Sequence, residues 1–300
     1  MWAQAVLTPT ESKMFICKAV ARMDIVKQAL SGGTIVIHPS SSTFFLIKEL
    51  LGKDPLTSHW VLGCIVPQGL CKAAYREGDY LSVAGKMGPV KDLKDMMNRF
   101  PFKWVIKGGE LHAGLPLGTI LEELGPDDVY IKGCNALDIE GNAGVLFGHG
   151  GGGTIGHVMA AQKSKGFSII LPVGLEKLIP VSIQEAAQAA RRTDFELGMG
   201  MPCGLIPVKG QVVTELNAVE ILSGAKATPN AAGGLGGAEG GIVLAIEGDR
   251  DQVTKAFGYI EQSKGAKLPK AKAADCSECK SPDCRFPIEA KYWKEAIRDY

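Results

Sequence analysis

The chain has 300 residues, 46% of them hydrophobic, and its 33 basic side chains are balanced by 32 acidic ones for a net charge of +1. This composition predicts a soluble protein with one large core or two smaller ones, and the balanced charge excludes the general basic field typical of nucleic-acid binding. No apolar run approaches the roughly 20 residues that span a bilayer, and the N-terminus lacks a leader pattern. We therefore expect a cytoplasmic protein with no nucleic-acid or membrane partner.

The N-terminal part begins with a predicted helix that Thr8-Pro9 starts and Gly32-Gly33 ends. A β-branched strand over Thr34 to Ile37 follows, and a hydroxyl-rich turn then leads into a helix that ends at Gly52. A strand, a polar turn and a helix N-terminus together favour binding of an anion. The same hydroxyls would equally serve as plain helix caps.

Farther along the chain, further strands are predicted over Trp60 to Val66, Asp79 to Ala84 and Lys103 to Ile106. A short helix is predicted over Gly114 to Leu124.

The central stretch contains an apolar run over Val129 to Ile131, a polar turn, a second apolar run over Ala143 to Phe147, and four consecutive glycines before a helix that Thr154 opens. Glycine permits positive φ and close approach of a ligand, and a helix N-terminus carries a partial positive charge. This pattern predicts a second anion-binding loop. The predicted ligand-binding residues are Ser40, Ser41, Ser42, Thr43, Gly150, Gly151, Gly152, Gly153 and Thr154.

At these residues the chain resembles ribose-5-phosphate isomerase type A and the superfamily that joins it to CoA transferases and DeoR-type sugar-phosphate sensors. The turn KGCNALD at 132–138 corresponds to the isomerase pattern D-G-A-D-E-x-D, and HGGGGTIGHV at 149–158 corresponds to K-G-G-G-G-A-L-x-x-E-K. Lys132 and Asn135 replace acids, His149 replaces a lysine, and Val158 occupies the position of the base. Because valine cannot abstract a proton, we expect the fold without isomerase activity.

Candidate catalytic residues flank the two loops. In an enzyme of this fold, charge and proton transfer would come from Lys132, Asn135, Asp138, His149 and His157. The alternative for the two histidines is a role in helix capping or packing. Glu239, in a glycine-rich segment, is similar to the catalytic glutamate of CoA transferases. Glu176 follows a strand over Ser168 to Val173, where open α/β sheets place ligands, and is either a site acid or a solvated loop residue.

The domain organisation changes near Val208, where a β, α, β, α rhythm begins. We predict an α/β anion-binding domain over 1–207, with a mostly parallel, Rossmann-like sheet and helices on both faces. A small ferredoxin-like α+β lobe is predicted over 208–265, and a linker with a cysteine-containing segment over 266–300.

The C-terminal segment carries Cys276, Cys279 and Cys284 in the spacing C-x2-C-x4-C. This spacing predicts a zinc or iron–sulfur site, whose fourth ligand would be Cys203, water or substrate. Free or redox-paired thiols are the alternative. A sheet domain followed by cysteines also resembles the lactate-utilisation (LUD) proteins, some of which carry iron–sulfur clusters.

Three functions follow from these patterns. The first is an enzyme or binding protein for a small anionic metabolite that is phosphorylated, carboxylated or linked to CoA. The second is a redox protein of the lactate-utilisation type, and the third is a non-catalytic metabolite sensor. The sequence leaves open whether the chain forms a homo-oligomer.

Overall fold

The computed structural model of this protein describes residues 1–54, 60–61, 64–66, 69–71, 101–102, 104–112, 115–190, 195 and 197–269. The predicted strand over Asp79 to Ala84 and the cysteines at 276, 279 and 284 lie outside the described residues. Of the described helices, none combines the length and the apolar character needed to cross a membrane.

The strands, in chain order, are β1 (Trp2–Leu7), β2 (Thr34–Ile37), β3 (Cys64–Val66), β4 (Gly69–Cys71), β5 (Pro101–Phe102), β6 (Val105–Lys107), β7 (Glu110–His112), β8 (Leu115–Pro116), β9 (Val129–Ile131), β10 (Ala136–Leu137), β11 (Ala143–Phe147), β12 (Ser168–Pro172), β13 (Gly204–Val208), β14 (Gln211–Val213), β15 (Lys226–Gly233) and β16 (Gly241–Glu247). The helices are α1 (Pro9–Val20), α2 (Asp24–Gly32), α3 (Leu46–Leu51), α4 (Leu117–Glu123), α5 (Gly153–Lys165), α6 (Ile183–Ala189), α7 (Glu215–Ser223) and α8 (Arg250–Glu261). Short 3-10 turns occur at Gly150–Gly152 and Leu175–Lys177.

The largest sheet has the strand order β14-β12-β9-β2-β6-β7. The first four strands run parallel, whereas β6 pairs antiparallel with β2 and β7 antiparallel with β6. The fold is therefore mixed α/β, with a mixed sheet that includes the expected parallel strands.

Helices cover both faces of this sheet, because its central strands are apolar on both sides. Ile35 and Ile37 of β2 lie in a core that includes residues of α1, α2, α7 and α8. Val36 and Tyr130 point to the opposite face, into a core that includes residues of α4 and α5. A strand with two buried faces is typical of a parallel sheet.

The N-terminal helix begins as predicted, with a capping box between Thr8 and Glu11. The prediction of one continuous helix as far as Gly32 is wrong, because α1 ends at Val20 and α2 begins at Asp24. Extended backbone at Met23, with ψ of 138°, interrupts the helical hydrogen bonds, and the Met23 side chain is buried in the core.

A second, three-stranded antiparallel sheet has the order β1-β16-β15 and takes strands from both ends of the described chain. All six residues of β1 pair with Ile242 to Glu247. The predicted boundary at 207/208 differs from this arrangement, since β1 joins the smaller sheet while β14, at 211–213, pairs with β12 in the larger one.

Candidate functional site at the carboxyl edge of the parallel strands

Three chain turns meet where β2, β9 and β12 end. A Cβ atom added at Gly133 would lie 2.9 Å from Ser40 Oγ and 2.9 Å from Ser42 Cβ, so the turns after β2 and β9 are in close contact. The third turn reaches them through Lys177, whose Nζ donates to Ser42 Oγ and to the Cys134 carbonyl, each at 2.8 Å. This edge is where open α/β sheets place ligands.

The side chains gathered around these turns form an edge cluster. Its members are Lys13, Ser42, Lys132, Glu176, Lys177 and Glu215.

Lys132 is the least compensated charge of the edge cluster. It follows β9 directly, and its backbone N–H donates to the Ile170 carbonyl at 3.0 Å, which fixes its Cα in the sheet edge. Only 9% of the residue is exposed, and its ammonium group makes no hydrogen bond or ion pair with any residue that the structure describes. Burial lowers the pKa of Lys132 to about 8; the nearby Cys134 opposes this shift, and the positive charge of Lys177 adds to it.

Two hydrogen bonds, to Ser42 Oγ and to the Cys134 carbonyl, stabilise the charged form of Lys177. Burial lowers the pKa of its ammonium and the charge of Lys13 lowers it further, whereas Glu176 opposes the shift. A lysine ammonium has three N–H donors, so these two bonds leave one donor of Lys177 for another acceptor.

Glu176 supplies the first acid. Its Oε1 accepts from Lys13 Nζ at 2.8 Å. Its Oε2 is buried and has no hydrogen-bond partner among the described residues. Gly174 makes room for this carboxylate, since a Cβ there would lie 1.8 Å from Oε2. The interpretation of Glu176 as a solvated loop residue is wrong, and an unpaired buried carboxylate oxygen is costly enough to suggest a role in binding.

Glu215 supplies the second acid, at the first position of α7. The residue is 1% exposed, and its carboxylate accepts from the Leu175 backbone N–H at 3.0 Å and from Ser12. Burial raises the pKa of Glu215 to about 7, and the nearby charge of Glu176 contributes to the rise. A carboxyl group in this range can exchange a proton near neutral pH.

A buried histidine borders the cluster. His38 Nδ1 lies 2.8 Å from the Tyr130 hydroxyl, and burial together with the charge of Lys132 holds the pKa of His38 well below its usual range. His38 is therefore neutral at pH 7 and adds no charge to the edge cluster.

The hydroxyl-rich turn differs from its prediction in one respect. The helix after it begins at Leu46, so the backbone N–H groups of Ser42 and Thr43 are not those of a helix N-terminus. Thr43 Oγ1 donates to the His38 carbonyl at 2.6 Å and lies 3.0 Å from Ser40 Oγ, so these two hydroxyls stabilise the turn itself. Ser41 is half-buried, and Ser42 is the hydroxyl that contacts a lysine of the cluster.

The four-glycine loop follows β11, in the separate sheet β10-β11-β13. Gly151, Gly152 and Gly153 take positive φ of 68°, 80° and 59°, as predicted, and α5 begins at Gly153 without a side-chain cap from Thr154. No hydrogen bond among the described residues joins this loop to the Ser42 turn. The proposed convergence of both loops on one anion therefore stays a prediction.

The histidines beside the glycine loop are not fully buried. His149 is exposed, and His157 is half-buried on α5. The close approach of the Gly151 carbonyl to Gly156, where an added Cβ would lie 2.1 Å from it, explains one glycine of this motif by packing.

The remaining sequence candidates support the scaffold. Asn135 Oδ1 accepts from the Leu146 N–H at 3.0 Å. Asp138 accepts from the backbone of Glu140, Asn142 and Ile183, and although burial raises its pKa, these bonds and one from the Asn142 side chain lower it overall. Both acceptors join β10, β11 and α6.

Glu239 is exposed in the turn before β16, where it accepts from the Gly237 N–H at 2.8 Å. β16 begins two residues later, at Gly241. Gly240 lies near Glu176, since a Cβ atom added at Gly240 would lie 3.5 Å from Glu176 Cβ. This turn therefore borders the acidic side of the edge cluster.

No residues of the described ranges form a group of three or more metal-ligating side chains. Cys203 is buried, and its Sγ donates to the Met201 carbonyl at 3.4 Å. The predicted ligands Cys276, Cys279 and Cys284 lie outside the described residues, so the zinc or iron–sulfur site stays a prediction.

Sequence reasoning named Lys132, Ser42 and Glu176 but missed Lys13, Lys177 and Glu215. Lys177 and Glu215 follow the carboxyl ends of β12 and β14, and this position could have identified them as candidate site residues.

Comparisons with family models, with curated proteins and with solved structures found no match. The resemblance to the isomerase, CoA transferase and lactate-utilisation proteins stays a prediction from the motifs.

Proposed function

We propose that this protein is an enzyme that binds a small anionic metabolite at the edge cluster. The metabolite would be phosphorylated, carboxylated or linked to CoA. The observation that carries the proposal is the pair of buried lysines, Lys132 and Lys177, of which Lys132 forms no ion pair with a carboxylate among the described residues. Removing a cation from most of its solvent is costly, and an anionic ligand would offset part of that cost.

The charge of the cluster supports an anion rather than a cation. Three lysines oppose two glutamates, and the raised pKa of Glu215, about 7, leaves that carboxyl only partly ionised near neutral pH. The cluster is therefore net positive in either protonation state of Glu215. The ligand's anionic oxygens would accept from Lys132, from the free donor of Lys177 and from the Ser42 region.

The acids support catalysis in addition to binding. Glu215 holds a proton that it can release near pH 7, and Glu176 keeps one unpaired buried oxygen beside Lys13. General acid–base catalysis needs a group with a pKa near the working pH, and Glu215 meets this requirement. Glu176 would orient the substrate or accept one of its hydroxyl groups.

We also propose that the larger sheet is Rossmann-like and that the smaller antiparallel sheet belongs to a ferredoxin-like lobe. The parallel order of β2, β9, β12 and β14 and the position of the cluster at their carboxyl ends favour this description.

Isothermal titration calorimetry tests the proposal with inorganic phosphate, ribose 5-phosphate, lactate and acetyl-CoA. We expect at least one of these anions to bind, and Lys132→Met to weaken that binding about tenfold to hundredfold, since a hydrogen bond to a charged group contributes roughly 1.5–3 kcal/mol. Lys18→Met is the matched control, because Lys18 is also buried but pairs with Glu49. Equal affinity in wild type and Lys132→Met would refute the proposed site.

A further inference from the structure

We infer that Lys132 is a nucleophile that forms an imine with the carbonyl carbon of an anionic aldehyde or ketone. This inference rests on the proposed anion site and adds the substrate class and the chemistry of one residue. The surroundings of the two lysines differ in ways that affect their reactivity.

Lys177 is arranged to remain a cation. Its ammonium donates to two oxygens, Ser42 Oγ and the Cys134 carbonyl, and a hydrogen bond to the charged form stabilises that form. Its remaining donor faces no acceptor among the described hydrogen bonds, so it can hold an anionic oxygen of the substrate.

Lys132, by contrast, has no hydrogen bonds within the described part of the chain that stabilise its charged form. Its ammonium has no carboxylate and no hydrogen-bond acceptor among the residues described, and it lies near the cation of Lys177. Both conditions favour the neutral amine, which carries the lone pair that attacks a carbonyl. The pKa of about 8 given by this burial leaves roughly a tenth of the group neutral at pH 7.

The geometry also positions the two groups for one substrate. Lys132 and the Cys134 carbonyl that anchors Lys177 belong to the same short turn after β9, and the two ammonium groups are near enough for their charges to interact. A carbonyl compound with a carboxylate or phosphate near its carbonyl carbon would present one group to each lysine. The anion would bind Lys177, and the carbonyl carbon would meet Lys132.

The reaction balances without an oxidant or a reductant. The lone pair of neutral Lys132 Nζ adds to the carbonyl carbon, and the C=O π electrons move to oxygen, which takes one proton from nitrogen. The carbinolamine then loses its hydroxyl with the second nitrogen proton as water, and a C=N bond forms. Both nitrogen protons leave in the released water.

Reductive trapping tests this inference on the full chain. The protein is incubated with pyruvate or ribose 5-phosphate and sodium cyanoborohydride, and the modified lysine is located by peptide mass spectrometry. We expect Lys132 to be labelled at least tenfold faster than the exposed Lys163, with a rate that rises through about pH 8, and inorganic phosphate to slow the labelling.

Two variants keep the test decisive. Lys132→Arg retains the cation but cannot form an imine, so it should bind phosphate and lose the fast labelling, whereas Lys18→Met should keep both. Anion binding in the wild type together with labelling of Lys132 no faster than Lys163 would overturn the imine inference and leave the proposed function standing. Absence of all anion binding would instead remove the proposed function.

Discussion

Replacing Lys132 by methionine should stabilise the folded protein. Methionine has a similar length and no charge, so the variant removes the buried ammonium without creating a large cavity. The lowering of the pKa of Lys132 from 10.5 to about 8 corresponds to on the order of 3 kcal/mol, at about 1.4 kcal/mol per pKa unit. The unfolding free energy of Lys132→Met should exceed that of the wild type by this amount at pH 7.

The pH dependence of this difference follows from linkage. Below pH 8 the lysine is protonated in both folded and unfolded wild type, so the full cost of burial is present. Between pH 8 and 10.5 the folded state loses the proton first, the unfolded state binds more protons, and wild-type stability rises with pH. The advantage of Lys132→Met should therefore fall below about 1 kcal/mol at pH 10.

Urea denaturation followed by tryptophan fluorescence measures the effect, since Trp104 is completely buried in the folded state. Lys18→Met is the control, and it should be less stable than wild type because it breaks the 2.9 Å ion pair with Glu49. A Lys132→Met protein that is less stable than wild type at pH 7, or equally shifted at pH 7 and pH 10, would refute the reasoning about burial.

Three further outcomes are expected. Because the pKa of Glu215 rises from 4.5 to about 7 on folding, the folded state holds this proton more tightly than the unfolded state does. The free energy of unfolding of the wild type should therefore fall by on the order of 3 kcal/mol between pH 4.5 and 7. In urea titrations Glu215→Gln should lack this pH dependence, and the exposed control Glu220→Gln should keep it. Asp138→Ala should cost roughly 3 kcal/mol, because it leaves the buried Ile183 N–H and the half-buried Asn142 N–H without their charged acceptor, and calorimetry showing an unchanged melting temperature would contradict this. Elemental analysis of the full chain should find zinc or iron that is lost in a Cys276→Ser, Cys279→Ser double variant; equal metal in both proteins would exclude the predicted site.

The fold was predictable where strands are buried on both faces. The β-branched run at Thr34–Ile37 forms a strand with the predicted bounds, and the strand predicted over Ser168 to Val173 forms as β12, which ends at Pro172. β1 was missed because it is an edge strand with an exposed Trp2 and Val6, and β15 because Pro229 and Asn230 give no strand signal. β1 forms through pairing with β16 from the far end of the chain, which no local pattern indicates, whereas β15 forms a hairpin with β16.

The candidate site was predictable only in part. Lys132 and Ser42 were found because they follow recognisable strands, at the edge where α/β sheets bind ligands. Lys13 could not be found in this way, since it lies in a helix and meets Glu176 across 163 residues of chain. Asn135 and Asp138 were predicted as catalytic residues, but their side chains accept backbone hydrogen bonds that stabilise the turns.

Lysine 13Cε NMR tests most directly whether Lys132 is a largely buried cation that an anionic ligand stabilises, because it measures the pKa of Lys132. The Lys132 resonance, assigned with Lys132→Arg, should titrate near pH 8 in the free protein and at a higher pH with saturating inorganic phosphate, because a nearby negative charge favours the charged amine. A resonance that titrates near 10.5 in both conditions would contradict the account.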